Sequence, residues 1–156
     1  MASIKHHRKA AQPIPIGWKE TIDLPEWGIR NLVAKADTGA KSSAIDVRDI
    51  ESLPDGKVRF VISVDRRNET LQQTVVADVV KEQKVKSSNG VIQHRLKVDT
   101  LLQIGPIQKR VTFSLVNRHR MICRAILGRE ALAGDFVVDS VRKYIHGTRK
   151  RPVVET

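Results

Sequence analysis

With 156 residues, 40% hydrophobic and 29% charged, the chain has the length of one domain and enough apolar content for one core. No run approaches the roughly 18 apolar residues of a membrane span, the basic start Met1–Ala10 has no apolar h-region behind it, and a lone Cys123 excludes an internal disulfide and fits a reducing, cytoplasmic setting. A net charge of +11 calls for a polyanionic partner such as RNA, an anionic surface or an acidic polypeptide, while 4% aromatics argues against single-strand binding by base stacking.

Residues 1–15 carry His6, His7, Arg8 and Lys9 and read as a flexible basic arm. Ile16–Leu24 is a first strand, Pro25–Gly28 a turn, and Ile29–Ala36 a second strand, so a hairpin delivers Asp37. Ala44–Ile50 reads as another strand, Leu53–Gly56 as a turn, and Lys57–Val64 alternates with period two as a half-buried strand does. Thr70–Val80 is a similar run. Lys84–Val98 is a hairpin about Ser88-Asn89-Gly90, which either stays in a sheet or projects as a flap at 87–90. Leu101–Gly105 and Ile107–Asn117 complete the strands, the latter with Val111, Phe113 and Leu115 on one face. Only Gly128–Ala133 looks helical, and Phe136–Asp139 is a last short strand. The expected organisation is the basic arm 1–15, an all-β barrel or sandwich domain over 16–142, and a basic C-terminal tail over 143–156.

Within this frame one stretch carries chemistry: Lys35-Ala-Asp-Thr-Gly-Ala-Lys-Ser-Ser43. An acid at a strand end, followed by Thr38-Gly39, places a carboxylate at the floor of a cleft, with glycine easing a tight turn. Taken alone, Asp-Thr-Gly is also an ordinary turn. Downstream, Ile126-Leu127-Gly128-Arg129 forms an apolar strand end and glycine leading into a short helix.

The two motifs, in this order and separated by β sequence, resemble the hallmarks of retropepsin-like aspartic proteases. Together with Arg95, Asn117-Arg118 and Phe136–Asp139, they resemble one bacterial branch over about Ile16–Asp139. Its members are named putative ATP-dependent zinc proteases, or RimB-type proteases. The resemblance implies a closed β-barrel with one short C-terminal helix. About 90 residues separate Asp37 from Gly128, so an extra hairpin is expected as well. It further implies catalysis by Asp37, with Thr38 and Gly39 shaping its loop and Ala40, Ile126, Leu127 and Gly128 supporting it. One Asp-Thr-Gly per chain implies a homodimer with Asp37 from each copy. The branch is linked with RimK-type glutamate ligases, so the implied substrate is a glutamate tail on a ribosomal protein.

Lys41, Arg95, Arg118 and Arg129 are candidates to hold an acidic substrate, since a guanidinium can grip a carboxylate with two parallel hydrogen bonds. For Arg129 the alternative is a bond to structural carbonyls. The zinc and ATP of the branch name find no support in the residues. The histidines are His6, His7, His94, His119 and His146; no H-E-x-x-H exists, and His119 with Cys123 lacks a second pair. No G-x-x-x-x-G-K-[ST] occurs either, so no metal and no cofactor is expected. Cys123 lies among apolar residues and reads as core. Beside the enzyme stands a second reading, a non-catalytic basic module that docks acidic tails or ribosomal RNA.

Overall fold

A computed structural model describes residues 12–118, 121–147 and 150–155. In chain order the strands are β1 (Ile14–Gly17), β2 (Lys19–Leu24), β3 (Ile29–Ala36), β4 (Ser43–Asp46), β5 (Arg48–Leu53), β6 (Lys57–Asp65), β7 (Asn68–Lys86), β8 (Ile92–Ile104), β9 (Ile107–Val116), β10 (Ala125–Leu127), β11 (Phe136–Asp139) and β12 (Val153–Val154). The one α-helix among the described residues, α1, spans Arg129–Leu132. No helix among the described residues is long and apolar enough to cross a membrane.

Strands β2, β3, β10, β4, β9 and β8 pair in a ring that closes where Asp23 on β2 meets Gln103 on β8. The ring is a closed six-strand barrel, and with its one short helix it matches the closed barrel that the resemblance implies. The extra hairpin is β5–β6, turning at Pro54–Gly56, where Asp55 and Gly56 both take a positive φ. Strand β6 alternates as expected: Val58, Phe60, Ile62 and Val64 are buried. Phe60 meets Trp27 edge-on at 5.4 Å, and Phe113 of β9 lies 6.4 Å from the same ring. Each such burial contributes roughly 1.5–3 kcal/mol, which fastens the hairpin to the barrel.

Several boundaries differ from the expectation. The first strand begins at Ile14, inside the 1–15 stretch, and breaks at Trp18, whose N–H donates to Arg142 O. Ala44–Ile50 divides at Val47, whose N–H turns to Val116 O. Thr70–Val80 and the first arm of the 84–98 hairpin fuse into β7, because the polar residues between them stay extended. Beyond Asp78 and Lys97 no third strand among the described residues pairs with that hairpin. It projects as a two-stranded ribbon tipped by the Ser87–Val91 turn.

Within the expected tail 143–156, residues 143–147 and 150–155 return to the barrel. Glu20, 1% exposed, accepts N–H bonds from Gly17, Ile145, His146 and Gly147 at 2.7–3.2 Å. Arg151 pairs with Asp65 at 2.9 Å, and β12 runs antiparallel to β3.

Candidate active site

The loop Asp37–Ser42 leaves the end of β3, and the chain re-enters the barrel as β4. Strand β10 inserts between these two: it is parallel to β3, with Leu127 beside Ala36, and antiparallel to β4, with Ile126 beside Ala44. The loop is thereby clamped from below by main-chain bonds. Asp37 N–H donates to Leu127 O at 2.8 Å, Arg129 N–H to Ala40 O at 2.8 Å, and Glu130 N–H to Lys41 O at 3.0 Å. These donors include the first free N–H groups of α1, which a helix start leaves without intrahelical partners.

Gly128 is the pivot of the clamp. A Cβ there would stand 2.4 Å from Ser42 O, so only glycine lets β10 pass this close beneath the loop. Its N–H donates to the buried Ser43 hydroxyl at 3.0 Å. Ser43 escaped selection from the sequence, although it closes the motif stretch; a lone serine carries no spacing signal.

Asp37 is half-buried, and its Oδ1 accepts the Gly39 N–H at 3.0 Å. Gly39 does not use a positive φ; a Cβ there would lie 3.3 Å from Oδ1, so its role is room rather than turn geometry. Thr38 is exposed, and its carbonyl accepts a bond from Arg129 Nη1 at 3.1 Å. Of the two roles weighed for Arg129, the geometry thus displays the bond to a main-chain carbonyl. Lys41 is exposed on the same loop.

The other two cations lie elsewhere. Arg118 stands past the far end of β4, where its N–H donates to Asp46 Oδ1 at 2.8 Å. Arg95 sits on the projecting ribbon opposite Gln83. Cys123 is buried, and burial pushes its thiol pKa up against the opposing charges of Lys19, Lys35, Arg124 and Arg66. Among the described residues no group of three or more His, Cys, Asp or Glu side chains is placed to hold a metal; His6, His7 and His119 lie outside those residues.

Residues 15–149 match the family described as retropepsin-like aspartic endopeptidase RimB. The chain belongs to the RimB-like family. The RimB-like chain also resembles a probable alpha-L-glutamate ligase of Shewanella halifaxensis, at 28% identity over 143 residues. That match covers 90% of this chain and 31% of the relative. A protein of the same name from Desulfotalea psychrophila is 32% identical over 130 residues, covering 80% and 27%. The RimB-like chain therefore spans about a third or less of these curated relatives. In fold it resembles Lpg0085, a Legionella pneumophila protein of unknown function, with a TM-score of 0.72 and 23% identity. The superposition covers 85% of this chain and 98% of that one.

Proposed function

We propose that this RimB-like chain is an aspartic peptidase that hydrolyses peptide bonds in an acidic substrate, a glutamate tail in the first instance. The observation that carries the reading is the clamp of β10 and α1 under Asp37–Ser42. It fixes a carboxylate at a strand end while Asp37 Oδ2 stays without a hydrogen-bond partner among the described residues.

One chain supplies one such carboxylate, so the working enzyme is a homodimer in which two copies of Asp37 meet across a two-fold axis. Two carboxylates about 3 Å apart resist ionising together and share one proton. The ionised one takes a proton from a water, whose oxygen adds to the scissile carbonyl carbon, while the protonated one gives its proton to the carbonyl oxygen. Collapse of the tetrahedral adduct breaks the C–N bond, with a proton delivered to the departing amine. Thr38 and Gly39 hold the loop, and Ala40, Ile126, Leu127 and Gly128 support it.

The acidic substrate is supported by the net charge of +11 and by relatives named glutamate ligases, in which a matching segment belongs to a longer chain. A ribosomal protein bearing a glutamate tail, and a RimK-type ligase that makes such tails, are the proposed partners, in the cytoplasm. Lys41, exposed on the same loop, is the proposed substrate contact beside Asp37, with Arg118 and Arg95 contributing from the β4 end and the ribbon. The test is incubation of parent and Asp37→Asn protein with a glutamate-tailed peptide, read by mass spectrometry. Cleavage is expected from the parent alone, with sedimentation showing a dimer; cleavage that survives Asp37→Asn sinks the reading and leaves the basic binding module.

A further inference from the structure

Beside β3 lies a feature that the loop does not use. Two clefts, of about 650 and 410 Å³, share Asp65, Arg66, Ile122 and Arg124 and form one continuous trough. Eight Lys or Arg side chains line it against three carboxylates. Two of those carboxylates are already engaged. Asp46 accepts the Arg118 N–H and lies 3.5 Å from Arg124; Asp65 binds the Arg67 N–H and Arg151. Arg66 and Arg67 are exposed and Lys19 half-exposed, and none makes a salt bridge among the described residues.

Deeper in the wall, the Nε–H groups of Arg48 and Arg124 are buried with no acceptor among the described residues, and Arg124 is 9% exposed. These two Nε–H groups lie out of an occupant's reach, but their guanidinium charges, only partly offset by the engaged carboxylates, add to the positive field of the trough. Side chains alternate along a strand, and the outward row of β3 is Val33, Lys35 and then Asp37 at its exit. Val33 lines the trough; at ~3.3 Å per residue it stands roughly 13 Å from Asp37, about four residues of extended peptide.

We propose that this trough is a carboxylate-binding subsite that holds the acidic segment of an extended peptide and leads it along β3 toward Asp37. The direction rests on reading Asp37 as the hydrolytic centre; the binding does not. A peptide fits better than single-stranded nucleic acid because Tyr144 is the one aromatic residue lining the trough. Stacking platforms, on which such strands depend, are otherwise missing from its described walls.

The experiment titrates a fluorescent oligoglutamate peptide into the full chain, its Asp37→Asn variant, and an Arg66→Ser/Arg67→Ser variant. Charge-matched Lys57→Ser/Arg110→Ser, exposed and outside the trough, is the control. Loss of the two trough arginines is expected to weaken binding about tenfold or more, as for charged hydrogen bonds. The control should change little, and Asp37→Asn should bind like the parent while failing to cleave. Arg66→Lys/Arg67→Lys should restore most of the affinity, which separates charge from folding. Equal losses in the trough variant and the control would overturn the subsite, as would tighter binding of an RNA oligonucleotide at the same salt. Cleavage by Asp37→Asn alongside a normal trough effect would remove the peptidase reading and leave the subsite standing.

Discussion

The Asp37 loop and the basic trough are neighbours on β3 and are built by opposite means. The loop is held almost entirely by main-chain groups: Asp37 on Leu127, Arg129 on Ala40 and Glu130 on Lys41, with glycine at the point of closest approach. The trough is made of long side chains from the β6–β7 turn, the 121–124 stretch and the C-terminal segment. Main-chain clamping leaves the loop backbone little freedom, which is what a reacting carboxylate at Asp37 would need. Long arginines and lysines instead provide a field and adaptable donors, which suit a repetitive acidic chain without demanding one register. The loop should therefore fail sharply when its backbone is disturbed, and the trough should weaken gradually.

The largest effect is expected from Gly128→Ala. Its φ of −88° suits alanine, so the whole cost is steric: the new Cβ would meet Ser42 O at 2.4 Å, against backbone that cannot swing aside. Parting β10 from the loop also lengthens the Gly128 N–H bond to Ser43. A loss of about 3 kcal/mol is expected from such overpacking, measured by urea unfolding, together with loss of cleavage. Oligoglutamate binding at the trough should survive in conditions where the variant remains folded. A fully active Gly128→Ala protein would break the contrast between the two regions.

Glu20→Gln tests the other side of the comparison. Glu20 gathers the N–H groups of Ile145, His146 and Gly147 and so seats the segment that carries Lys143, Tyr144 and Lys150, part of the trough wall. An amide keeps one acceptor oxygen but turns an NH2 toward one of these donors. Leaving a buried donor unmatched in this way costs about 1–3 kcal/mol. Faster amide exchange at 145–147 and weaker oligoglutamate binding are expected, with the Asp37 loop amides unchanged. Equal loosening of loop and segment would mean that the two are one cooperative unit.

What could be read in the sequence follows the same divide. Period-two alternation announced β6 and the Val111, Phe113 and Leu115 face of β9, all buried. The pairing of Asp37 with Gly128 was legible because both motifs are short, local and tied to backbone geometry. Ser43 and Glu20 were not: Ser43 acts on Gly128, 85 residues away, and Glu20 chiefly on residues 145–147, and a single polar side chain in a strand leaves no period. The parallel pairing of β1 with β11 likewise joins segments far apart in the chain, Ile14 beside Phe136. The trough was foreshadowed only as net charge, since Arg48, Arg66 and Arg124 share no spacing and meet through the fold. For Arg129, sequence reasoning offered two roles, and the bond to Thr38 O displays one of them.

The smallest effect concerns Asp139, at the end of β11, where the chain turns toward the trough wall. The Arg142 guanidinium, with the N–H groups of Val141 and Arg142, holds its carboxyl down at about 2, below the ordinary 3.8. A folded-state pKa below the unfolded one means that the ionised form favours folding. That contribution is complete above about pH 4, shrinks as pH falls below 3.8, and is gone below about 2. Asp139→Asn should therefore lower Tm by a small, constant amount at neutral pH, and the two melting curves should converge between pH 3.8 and about 2. A gap that persists unchanged through that window would show that Asp139 acts through shape rather than charge. The turn 139–142 would then belong with the main-chain architecture of the loop, not with the electrostatics of the trough.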